Sequence, residues 1–96
     1  MKRKNTEALH DVLLRFLREQ GLETPLNEYR AVAAWPKVAG PVITQMTGDV
    51  RFKSGTLYIK INRPALRQDL AMGRTQLAQR INREVGAQVV SEIVFY

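Results

Sequence analysis

The chain has 96 residues, enough for one domain with a modest core, and 45% are hydrophobic, too many for a disordered segment. It has no cysteine, which excludes disulfides and cysteine-built zinc sites. Fifteen Lys and Arg against nine Asp and Glu give a net charge of +6 and a pI near 10.2, a footprint of nucleic-acid binders and of proteins with acidic partners.

Met1-Lys2-Arg3-Lys4 predicts a flexible basic arm over 1–4. Glu7, His10, Asp11, Arg15 and Arg18 interrupt the apolar residues that follow, so this start does not read as a signal peptide. No apolar run approaches the ~20 residues of a membrane helix. The expectation is a cytoplasmic protein without membrane contact.

Asn5 and Thr6 are candidate N-caps, and Leu9, Val12, Leu13, Phe16 and Leu17 form one apolar stripe, so a first helix is predicted over about 6–20 with Gly21 as its C-cap. Pro25 suits the first turn of a second helix, with Leu26, Tyr29, Val32 and Ala33 as its stripe. Trp35-Pro36 should break or kink it. Trp35, beside Val32 and Val38, reads as a core anchor. Over 37–46, a turn at Gly40-Pro41 and a short helical piece are expected.

The period then changes to two. Val50 and Phe52 alternate with Arg51 and Lys53; Leu57, Ile59 and Ile61 alternate with Tyr58 and Lys60; Ser54-Gly55 lies between them. This is a β-hairpin pattern. A single long helix is predicted over about 64–86, starting at Pro64, with Leu66, Leu70, Leu77, Ile81 and Val85 on one face and Gly86 as C-cap. Gly73 on that stripe implies close packing against the sheet. Val89 to Phe95 gives a third strand, which a right-handed crossover would set parallel to a hairpin strand. The fold class is α+β, one domain over 1–96, order α-α-β-β-α-β, with a three-stranded sheet and helices packed on one face.

Charge is uneven along the chain. Residues 1–49 hold seven basic and six acidic side chains, whereas 50–83 hold eight basic residues against Asp69 alone, an excess of seven. The hairpin sets Arg51, Lys53, Tyr58 and Lys60 opposite the apolar side, and the long helix adds Arg63, Arg67 and Arg74. Cations bind phosphates and a flat ring stacks on a base, so these seven residues are the candidate nucleic-acid site, with single strands favoured. A solvated strand face carrying lysine is the plain structural alternative. His10, the lone histidine, has no converging partners, and no P-loop or GxGxxG is present. No catalytic residue, metal ligand or cofactor is predicted, and an enzyme is not expected.

Trp35-Pro36-Lys37-Val38-Ala39-Gly40, then Ile43 and Thr47, resemble the opening of a bacterial domain-of-unknown-function family, number 721. Its best-known members are the DciA proteins, which assist loading of the replicative helicase. The likeness continues in Gly55-Thr56-Leu57-Tyr58-Ile59-Lys60-Ile61, in Arg67-Gln68-Asp69-Leu70, in Ile81-Asn82 with Gly86, and in Ile93-Val94-Phe95. The resemblance implies a K-homology (KH)-like fold, DNA binding and contact with the hexameric helicase. The six glycines include no pair three apart, so the Gly-x-x-Gly clamp of KH domains is absent and binding would use the charged face. Longer family members extend past this domain, whereas this chain ends at Tyr96.

Two functions are therefore expected. The first is a DNA- or RNA-binding module accessory to the replicative helicase. The alternative is a protein-interaction module whose open sheet face, with Val90, Val94 and Tyr96, meets a partner chain or a second copy. An apolar-poor basic face would favour the first, and an exposed apolar patch the second.

Overall fold

The structure, a computed structural model, describes the backbone of residues 2–19 and 23–96 and the side chains of 8–16 and 25–96. The elements run α1 (Lys2–Glu19), α2 (Glu23–Ala39), α3 (Pro41–Gln45), β1 (Thr47–Lys53), β2 (Thr56–Ile61), α4 (Pro64–Met72), α5 (Arg74–Val85) and β3 (Glu92–Phe95). The strands form one sheet in the order β1-β2-β3. β1 pairs antiparallel with β2, and β2 pairs parallel with β3. The α+β class and the parallel third strand agree with the sequence pattern.

Alternation fixes which sheet face is buried. Leu57, Ile59, Ile61 and Ile93 are at most 2% exposed. On the same side Ala31, Ala34 and Trp35 of α2 and Ala78, Ile81 and Val85 of α5 close the core. Each large apolar side chain buried here contributes roughly 1.5–3 kcal/mol. Trp35 is fully buried, with its ring 5.7 Å from that of Phe95. Its indole N–H donates to Thr47 Oγ1 at 3.1 Å, and the Thr47 hydroxyl donates to the Ile43 carbonyl at 2.8 Å. One chain of bonds thus ties α2, α3 and the start of β1 together.

Several predicted boundaries move. Helix α1 begins at Lys2, so Asn5 and Thr6 lie inside it and are not N-caps. Gly21 lies outside the described residues. Helix α2 carries Pro36 in its interior and runs on to Ala39. Trp35 holds that turn in the core, and Gly40 N–H closes it on the Pro36 carbonyl at 3.0 Å. The expected single helix over 64–86 is two helices meeting at Gly73. Close packing does not explain Gly73, because a Cβ there would meet only the Leu70 carbonyl, at 3.9 Å. Gly86, at φ 83, is the left-handed cap of α5 as expected.

β3 starts at Glu92, later than the apolar run, because Asn82 captures Val89 and Val90 before the strand. Its Oδ1 accepts from Val89 N at 3.0 Å and Val90 N at 2.8 Å, and its Nδ2 donates to the Val90 carbonyl at 2.9 Å and to Gln88 Oε1 at 3.0 Å. Asn82 is 8% exposed and fully satisfied. Val90 is buried beneath it and does not reach the open sheet face.

The largest departure concerns α1. Its main neighbour is α2, and of its described side chains only Leu14 is partly covered. Leu9, Val12, Leu13 and Phe16 are 54–70% exposed. The apolar period is present, but the core is already closed by α2, α5 and the sheet. The radius of gyration is accordingly 15.2 Å, against roughly 12–13 Å for a compact chain of this length.

Candidate nucleic-acid interface

The face of the sheet turned away from α2 and α5 is built by register. The hairpin turn has positive φ at both central residues, Ser54 at 51 and Gly55 at 83, the pattern of a type I′ turn. That turn pairs Lys53 with Thr56 and, one step along the same face, Arg51 with Tyr58. Tyr58 in turn lies opposite Val94. Arg51, Tyr58 and Val94 therefore form one row across all three strands.

A second row follows. A register shift between Thr47 and Val50 sets Gly48 beneath Lys60, whose Cδ lies 3.4 Å from where a Cβ on Gly48 would stand. The aliphatic stem of Lys60 thus crosses β1, while the residue itself stays exposed. Tyr96 extends β3, donating its N–H to Ile59 O at 3.0 Å and accepting from Ile61 N at 2.8 Å. By the same alternation its side chain joins this face. The Tyr96 hydroxyl accepts a long hydrogen bond from Arg51 Nη2 at 3.4 Å, spanning β2.

Electrostatics keep Arg51 in place. Its Nε lies 3.0 Å from Asp49 Oδ2. The hydrogen bond it donates to Tyr96 and the charge interaction with that residue, and then the charge of Asp49, raise the guanidinium further above its usual range. Its side chain is still 68% exposed, so it can exchange Asp49 for a phosphate. Lys53 and Lys60 make no ion pair among the described residues, and each leaves a solvated cation on this surface.

The seven predicted residues fall into three groups. Arg51, Lys53, Tyr58 and Lys60 share the open face. Arg63 and Arg67 lie where β2 hands over to α4: Arg63 is exposed at the N-cap, and Arg67, half-buried, points Nη1 toward the Ile61 carbonyl at 3.5 Å. Arg74 stands apart. It begins α5 beyond the joint at Gly73 and lines a cleft of about 610 Å³ with Asn82, Ser91 and Glu92. Nor do all the basic residues of 50–83 share a surface, since Arg80 donates to the Val38 carbonyl at 3.1 Å, and Arg83 lies with Lys37 and Glu84 between α2 and α5. Tyr96 was absent from the predicted site, although its alternation with Phe95 puts it on the face of Tyr58.

Large exposed apolar side chains sit elsewhere, on α1, α2, α3 and at Met72; on the sheet face only Tyr96 is among them, at 37%. Among the described residues no group of three or more His, Asp or Glu is arranged to hold a metal. No helix of the described residues is long and apolar enough to cross a membrane.

The molecule is thus an α+β domain with one sheet face closed by helices and the other left open, basic and aromatic. A family model described as "Dna[CI] antecedent, DciA" matches residues 8–95, so the chain belongs to the DciA family, which is associated with helicase loading in DNA replication. No curated protein matches the chain. The matched span includes the Trp35–Thr47 bond and the open face up to Phe95, with Tyr96 one residue beyond it.

Proposed function

We propose that this chain is a non-enzymatic nucleic-acid-binding module that serves the replicative helicase from the open face of its sheet. The observation that carries the reading is the pair of rows in which Arg51 and Lys60 flank Tyr58 and Tyr96. Arg51, Lys53 and Lys60 hold phosphates, with Arg63 and Arg67 continuing the track at the start of α4. Tyr58 and Tyr96 offer rings to unstacked bases, which a single strand presents and a duplex does not. Membership of the DciA family supports DNA as the polymer and the hexameric helicase as the protein served, in the cytoplasm. No cofactor is needed. The sheet face is poor in apolar surface, which favours nucleic acid over a protein partner at this site.

Fluorescence anisotropy with labelled single-stranded and duplex DNA tests this reading. The expected result is micromolar binding that prefers the single strand and weakens steeply with salt. Equal affinity for both forms would remove the stacking role of the tyrosines. No binding at low salt would remove the site.

A further inference from the structure

Two apolar stripes on this chain lack cover. On α1, Leu9, Val12, Leu13 and Phe16 follow helical spacing and are 70%, 58%, 55% and 54% exposed. On α2, Leu26 and Tyr29 are 36% and 72% exposed, on the side away from the buried Ala31, Ala34 and Trp35. Within one copy α1 leaves both stripes open to solvent.

We propose that this chain forms a two-fold dimer in which the stripe on α1 of each copy packs against the stripe on α2 of the other. Three observations select a second copy as the occupant. The chain carries both halves of the contact, so a two-fold axis satisfies each stripe twice. The six side chains expose roughly 600 Å² per copy, or about 1,200 Å² in a dimer, which clears the ~1,000 Å² expected of a specific interface. The charge excess lies in 50–83, whereas 1–49 is nearly balanced, so two copies meet through their helices without the repulsion their basic faces would impose. The open sheet face takes no part, so the dimer stands or falls separately from nucleic-acid binding.

Sedimentation velocity on the full chain, alone and without DNA, reads the result. The expected mass is twice the 11.0 kDa monomer at about 100 µM, above the micromolar dissociation constants at the weak end for interfaces of this order. Leu13→Glu and Tyr29→Glu, both at exposed positions, each weaken association at least tenfold while circular dichroism stays unchanged. An equal mixture of the two variants regains part of the association, because their heterodimer keeps one intact α1–α2 seam. A wild-type chain that stays monomeric overturns the proposal. So does a dimer indifferent to Tyr29→Glu, which would pair α1 with α1. A monomer whose Leu13→Glu variant no longer captures the purified helicase would give the stripe to that protein instead, and overturns it too.

Discussion

Asn82 holds the turn between α5 and β3 with its whole amide, accepting two hydrogen bonds at Oδ1 and donating two from Nδ2. Replacing it by alanine strands the N–H and the carbonyl of Val90, whereas Val89 N–H keeps the Ala87 carbonyl at 3.0 Å. Asn82→Ala should cost about 3 kcal/mol, read as a lower midpoint in urea with an unchanged slope. A loss below ~1 kcal/mol would mean that the turn holds itself. Trp35→Phe should cost about 2–3 kcal/mol, because it loses the bond to Thr47 and leaves part of the indole's volume empty in the core. The buried role of Trp35 was legible from its neighbours. That of Asn82 was not, because a single asparagine in a helix carries no signal of four partners brought together by the chain beyond it.

Period and turn chemistry made most elements readable. The hairpin follows from alternation around Ser54-Gly55, and the register it imposes delivers Arg51, Lys53, Tyr58 and Lys60 to one face. Ser54 holds φ 51, a region asparagine accepts more readily. Ser54→Asn should therefore stabilise the protein by about 0.5 kcal/mol, seen as a rise in melting temperature. The division at Gly73 is not legible in the sequence, because the apolar stripe passes through it without a break. At φ −104 and ψ 16, with open space around its Cα, that joint does not require glycine. Gly73→Ala should be neutral or stabilising by up to about 1 kcal/mol in a thermal melt. A loss of 1 kcal/mol or more would restore the packing reading. Helix α1 shows the opposite limit: periodicity correctly marks an apolar stripe but does not say what lies against it.

At the scale of the whole molecule, charge and apolar surface are segregated. The open sheet face carries the free cations and two tyrosines, and the helical hairpin carries the uncovered leucines and phenylalanine. Summed charge along the chain pointed to residues 50–83, yet folding divides that segment, sending Arg80 and Arg83 to the α2–α5 side and Arg74 to the cleft beside β3. The central claim is that affinity rests on the open sheet face, with Arg63 and Arg67 extending it and the arginines of α5 taking no part. It is tested most directly by comparing the wild type with Arg51→Glu/Lys53→Glu/Lys60→Glu in single-stranded DNA binding across a salt series. All three positions are exposed, so the fold should survive. At least a hundredfold loss of affinity is expected, with a salt slope shallower by about two to three. Unchanged affinity and slope would contradict it and move the site to the arginines of α5.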